Sequence, residues 1–229
     1  MNVTFVTAFF KQANMYYSVE HYFKHFEQLA NTGVQILLFL DETLQDYGTE
    51  LCRKFPNVTV PECATLDISC LPENIELPVV RNDKKDTAEY MIIQLQKLHL
   101  LSKARLYTDR PFLAWIDFGI FHVFRDKDAC TQKLRDIEIS LFQTEQIYSA
   151  SCWPRGTYDI WNCICWRFCG GFLLGHRDLF DAAYQEQTRL VQENLPRLTW
   201  EVNYWAMMDD FFLAFPANHD DSILLNVPQ

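Results

Sequence analysis

No run in this chain approaches the ~18 to 20 apolar residues of a membrane helix. The N-terminus opens on the strand-like VTFVT (3 to 7), where an export signal would carry basic residues. A soluble, cytoplasmic chain is therefore expected. Basic charge is also scarce: 20 Lys and Arg stand against 30 Asp and Glu, a formal net charge of −10. Neutralising the phosphates of a nucleic acid needs a basic face. Nucleic acid is thus excluded as the main partner, and any anionic ligand must be met by local groups. Internal repeats and low-complexity segments are absent. The eight cysteines lack the density of a small secreted framework. Cys52, Cys63, Cys70, Cys130 and Cys152 are scattered, while Cys163, Cys165 and Cys169 lack the C-x2-C pairs and fourth ligand of a zinc knuckle. Free, mostly small buried thiols are expected in a reducing compartment, with Cys163 and Cys165 on one face of a strand. The sequons at Asn2 and Asn57 then carry no weight.

What is present is apolar and aromatic. With 49% hydrophobic residues, 18 Phe, 10 Tyr and 6 Trp in 229 positions, the chain can bury one sizeable core, and disorder is excluded. VTFVT, the helical pattern YSVEHYFKHFEQLAN (17 to 31) ending at Gly33, and VQILLFLD (34 to 41) predict a βαβ unit with a parallel sheet. NVTV (57 to 60) predicts a short strand. Pro61 to Lys85 reads as loop. Residues 86 to 106 predict a long helix capped near Asp86 or Thr87, and FLAWID a central strand apolar on both faces. Strands are then expected at IEISLF (137 to 142) and IYSAS (147 to 151), followed by a Gly-punctuated strand and helix from CGGFLLG. A further helix is expected from Thr199, then FFLAF and the tail NHDDSILLN. The fold class expected is a single α/β domain: a Rossmann-like first half on a mostly parallel sheet, and a mixed sheet in the second.

Within FLAWIDFGIFHVF (112 to 124), Asp117 is a carboxylate in the most hydrophobic part of the chain. Burying it unpaired costs several kcal/mol, so it needs a cation, N–H donors or an open cleft. Open α/β sheets bind ligands at the carboxyl ends of their strands, where Asp117 falls. It can hold a divalent cation there, or merely begin a turn.

The blocks DTAEY, QKLHLLSKA, FLAWIDFGIFHVF, GGFLLG, LTWEVNYWA and HDDSILLN, in this order, resemble the HtrL/YibB family, bacterial proteins associated with lipopolysaccharide loci and grouped with GT-A nucleotide-diphospho-sugar transferases. The resemblance covers nearly the whole chain, and WIDFG and TWEVN are its most specific pieces. It implies a glycosyltransferase moving a sugar from a nucleotide diphosphate, a UDP-sugar favoured, to a glycan or polysaccharide hydroxyl. Residues 1–120 would form the donor half and 121–229 the acceptor half.

Such enzymes neutralise the leaving diphosphate with Mn or Mg on an Asp-x-Asp motif. Asp117 matches the first acid, but Gly119 stands at the second. The resemblance implies His219 as a later metal ligand, oriented by Asp220 and Asp221; alternatively it is a surface residue of an acidic tail. Glu201 matches the late acid that binds or deprotonates the acceptor, or simply complements a helix dipole. Asn203 would hold a sugar hydroxyl, and Trp200 and Trp205 would stack on sugar rings or join the core. Gly170 and Gly171 would admit a ligand, or mark a bulge. Lys97 would face the diphosphate or solvent. Thr7, Ala8 and Phe9 would cup the base, with core packing of Phe9 as an equal alternative, and Asp41 would bind the ribose. Two other classes stand beside this reading: a non-catalytic nucleotide- or glycan-binding protein, and a metal-dependent hydrolase, for which the dense His/Asp cluster is missing.

Overall fold

A computed structural model describes residues 1–12, 15–61, 63–64 and 72–228, with the side chains of 63 and 64 left aside. Among the described residues, eight strands join in one sheet: β1 (Val3–Phe9), β2 (Ile36–Asp41), β3 (Val58–Thr59), β4 (Cys63–Ala64), β5 (Phe112–Ile116), β6 (Ile147–Ser151), β7 (Phe172–His176) and β8 (Phe212–Pro216). Their order is β3-β2-β1-β5-β7-β6-β8, with β4 also on β2. The pairs β1/β2, β1/β5, β2/β3, β2/β4 and β6/β8 are parallel. Only β7 runs against its neighbours, β5 and β6. The carboxyl ends of β1, β2, β5, β6 and β8 therefore share one edge of the sheet with the start of β7.

Seven helices complete the described fold: α1 (Val19–Ala30), α2 (Gln45–Lys54), α3 (Ala88–Ala104), α4 (Lys127–Ile139), α5 (Leu179–Asn194), α6 (Glu201–Met207) and α7 (Ser222–Leu225). Strand alternation divides the core between the two faces of the sheet. Val3, Phe5 and Phe9 of β1 pack with Phe23, Phe26 and Leu29 of α1 and Leu134 and Ile137 of α4. Val6 of β1 and Leu113 and Trp115 of β5 pack with α3, α5 and α6 on the other. Ser18 caps α1 by accepting from His21 N, and Thr87 caps α3 by accepting from Tyr90 N. Just beyond α1, Gly33 takes φ +83°, a left-handed conformation that glycine adopts without steric cost.

Three expectations are corrected. Residues 137–139 end helix α4 rather than starting a strand: Cys130, Leu134 and Ile137 bury one helical face. Beside them Glu138 accepts from Arg110 Nη1 and Gln35 N. The helix expected from Thr199, α6, begins at Glu201, because buried Thr199 donates to Ile160 O and leaves Trp200 at the cap position. Residues 152–171 form turns, so Cys163 and Cys165 do not share a strand face. Cys70 lies outside the described residues. Among those described, no helix is long and apolar enough to cross a membrane.

Candidate functional site

At the shared edge, β5 ends and the chain leaves the sheet at Asp117, whose backbone N donates to Gly171 O (3.1 Å) as β7 begins alongside. Behind this junction α3 sends in Lys97. Its Nζ donates to Gly170 O (2.9 Å) and Glu201 Oε1 (2.9 Å) and lies 3.2 Å from Asp117 Oδ1. Three acceptors thus meet the three N–H bonds of one ammonium. The lysine side chain is 4% exposed, Glu201 6% and Asp117 40%. Burial alone would lower the Lys97 pKa, but the charges of Asp117 and Glu201 outweigh it and raise the pKa above its ordinary value. Lys97 is therefore a fixed cation shared by two carboxylates, and its expected reach to a diphosphate is corrected: its donors are committed within the protein.

Gly170 is glycine because the ion pair occupies its side-chain space. A Cβ there would collide with Glu201 Oε1 and lie 2.9 Å from Lys97 Nζ. A Cβ on Gly171 would sit 3.0 Å from Ile120 Cδ1 and 3.8 Å from Asp117 Oδ2. Asp117 Oδ1 also accepts from Trp115 Nε1 (2.7 Å), whereas Oδ2 takes part in neither this bond nor the Lys97 contact. Trp115 went unread in the sequence, although a strand places residues i and i+2 on one face. Tyr90, on the first turn of α3, also faces this charge. Burial first, then Glu201 and Asp117, raise its phenol well above the ordinary range.

Several expected ligand groups serve the fold instead. Glu201, read as acting on an acceptor, is the buried counter-charge of Lys97. Asn203 is fully buried. Its Nδ2 lies within bonding distance of Ile160 O, Cys163 O and Thr199 Oγ1, and its Oδ1 accepts from Cys165 N (2.7 Å), so no group is left for a sugar. Trp200 and Trp205 are buried, and Trp205 Nε1 donates to Gln187 Oε1. Phe9 stacks on Phe118 with ring centroids 4.8 Å apart, and packs against Phe23 and Tyr22 rather than standing free for a base. The Thr7 hydroxyl is buried without a hydrogen-bond partner among the described residues. Ala8 is half-buried, and Asp41 Oδ1 accepts from Thr43 N and Oγ1 at the end of β2, two strands away from Asp117.

His219 follows β8 on the same edge and senses the charges of Asp117, His122, Lys85 and Lys97. Desolvation of its ring, centred 5.9 Å from that of Trp166, lowers its pKa, although the residue as a whole is exposed. Asp220 and Asp221 do not orient it. Asp220 Oδ1 accepts from Ser222 N and Oγ, and Asp221 accepts from Arg125 N and Asp126 N. Among the described residues, no three His, Cys, Asp or Glu side chains converge to hold a metal ion. Asp117 and His219, which follow β5 and β8 at this end of the sheet, carry donor types that Mn or Mg accepts, with water and ligand oxygens needed to make up the rest of the shell. Gly119 leaves room beside them: a Cβ there would find only His122 Nδ1 at 3.7 Å and His25 Cβ at 3.9 Å.

No protein-family model matches this sequence, and no curated protein matches it. Solved structures do. The apo-form glycosyltransferase GlyE of Streptococcus pneumoniae TIGR4 superposes with a TM-score of 0.51 at 10% identity, over 93% of this chain and 44% of that one. A glycosyltransferase involved in the glycosylation of the major capsid of PBCV-1 gives 0.45 at 10% identity, over 93% and 81%. The chain spans less than half the length of GlyE. A single α/β domain around a mostly parallel mixed sheet is thus the fold that this chain shares with a solved glycosyltransferase.

Proposed function

We propose that this protein is a GT-A-type glycosyltransferase of the HtrL/YibB kind, which moves a sugar from a nucleotide-diphosphate donor, a UDP-sugar favoured, to a hydroxyl of a glycan or polysaccharide. The supporting observation is the charge arrangement at the strand ends: a buried Lys97 lies 3.2 Å from Asp117 Oδ1, while the Asp117 side chain stays 40% exposed and its Oδ2 lies against Gly171. Residues 1–120 would form the donor half and 121–229 the acceptor half. Asp117 Oδ2 and His219 would hold Mn or Mg, which supplies charge to neutralise the departing diphosphate. Asp41 and Ala8, at the ends of β2 and β1, would border the nucleoside.

In the transfer, the bond from the anomeric carbon to the diphosphate oxygen breaks and the acceptor oxygen forms the new one. Because Glu201 is buried against Lys97, the acceptor proton goes to the leaving diphosphate, and Glu201 acts through Lys97 as a positioning residue. Titration calorimetry with UDP and GDP, with and without Mn, tests the nucleotide site; absence of heat under every condition sinks the transferase reading. A screen of nucleotide sugars for metal-dependent hydrolysis then identifies the donor. The partial metal set and Gly119 favour a second reading, a nucleotide- or glycan-binding protein without turnover. Tight UDP binding with no hydrolysis of any donor would select it.

A further inference from the structure

Two cysteines outside the charged cluster are closer than unbonded sulfur atoms pack. Cys152, just beyond β6, has its Sγ 2.8 Å from that of Cys169, 17 positions on and next to Gly170. The chain around them is already drawn together: Cys169 N donates to Ala150 O (2.8 Å) and Trp153 N to Trp166 O (2.9 Å). Joining the two sulfurs therefore closes a loop whose ends the backbone has already paired. Cys130, Cys163 and Cys165 are engaged elsewhere: Cys130 donates to Asp221 Oδ1, Cys163 donates to Asp159 O and Cys165 accepts from Arg167 N, while Cys52 is exposed.

We propose that Cys152 and Cys169 form a reversible disulfide, with a small-molecule disulfide as the co-reactant. The two positions divide the work. Cys152 is half-buried and can be reached, whereas Cys169 is buried. The contact between the two sulfurs lowers the Cys152 pKa against the effect of burial, and the same contact together with burial raises that of Cys169. Cys152 is thus the attacking thiolate and Cys169 the resolving thiol. Cys152 breaks the S–S bond of the small disulfide and forms a mixed disulfide, releasing one small thiol. Cys169 then displaces the second. The cysteine pair loses two electrons and two protons, and the small disulfide gains both as two thiols. The linkage would tie the end of β6 to the residue before Gly170, whose carbonyl holds Lys97.

The test treats the full chain with glutathione disulfide, then alkylates and maps peptides. The expected product is lighter by about 2 Da, with Cys152 linked to Cys169 and the exposed Cys52 unlinked to either. Closing a loop of this size should raise Tm by on the order of 5–10 °C, reversed by dithiothreitol. Cys152→Ser, at the half-buried position, should show neither change. A linkage between other cysteines overturns the proposal. So does a Cys152–Cys169 pair that stays reduced while Cys52 is glutathionylated, or a linked product whose Tm is unchanged or lower. None of these measurements depends on sugar transfer.

Discussion

Asp117 and Glu201 are both acids set among aromatic residues, one in FLAWIDFGIFHVF and the other in TWEVNYW, and both pair with Lys97. They meet solvent differently. Asp117 follows a strand end, where the chain turns out of the sheet, and 40% of its side chain is exposed. Glu201 starts a short helix whose Val202, Asn203, Tyr204 and Trp205 are likewise buried, and is 6% exposed. An acid in an apolar run is thus available for chemistry when the backbone leaves the core there, and otherwise it is part of an internal ion pair.

The largest expected effect comes from removing the shared cation. Lys97→Met keeps most of the volume but strands the buried Glu201 carboxylate, which should cost about 3–5 kcal/mol. Urea denaturation measures it, and a loss below about 1 kcal/mol would break the claim that this lysine holds the site. Alkaline pH makes the same test without mutation. The Lys97 pKa lies above its ordinary value of 10.5, so its stabilisation is full below that value and is lost as pH rises through the higher folded one. The wild type should therefore lose stability above about pH 10.5. The Lys97→Met chain should lack that part of the slope.

Gly170→Ala comes next. Its methyl group would enter the space of Glu201 Oε1 and Lys97 Nζ, and should cost about 1–3 kcal/mol by forcing the pair aside. The same change at Gly175, within β7, is a useful contrast, since the nearest neighbours of its Cβ would be Ile147 and Phe180 at 3.3 Å, with no charged group among them. Equal losses at the two positions would mean that strand packing, rather than the ion pair, sets the requirement at Gly170.

Asp117→Asn should leave stability within about 1 kcal/mol, because a partly exposed charge pair contributes little. It should remove metal-dependent UDP binding, read by calorimetry. Loss of several kcal/mol instead would make Asp117 as structural as Glu201.

The same contrast explains what the sequence disclosed. The βαβ unit and the Asp117 strand were legible because a buried parallel strand is apolar on both faces and a surface helix on one. IEISLF was misread because a short apolar run suits a helix end or a strand, and the deciding contacts of Glu138 reach back to Gln35 and Arg110. Trp200, Trp205 and Asn203 carry polar or aromatic groups that serve sugars and cores alike. Apart from Thr199, the hydrogen-bond partners of Asn203 and Trp205 lie between 18 and 43 positions away, beyond any local pattern. Lys97 and Glu201, 104 positions apart, were each singled out, but nothing in the sequence announced that they would neutralise one another.

The smallest structural effect belongs to the position that first marked this site as incomplete. Gly119 has φ −102°, which any residue adopts, and open space where a side chain would go. Glycine is therefore not required there by backbone or packing. Gly119→Asp should change stability by no more than about 0.5 kcal/mol. It would add a carboxylate two residues from Asp117, facing His122 and His25 rather than Lys97, and so available to a cation. Mn titrations followed by calorimetry should then show tighter binding than in the wild type, with Asp117→Asn cancelling the gain. If the added acid leaves Mn affinity unchanged, the rim around Asp117 is not a cation site, and any neutralising charge at this edge of the sheet comes from the protein's own cations, Lys97 and Lys85 among them.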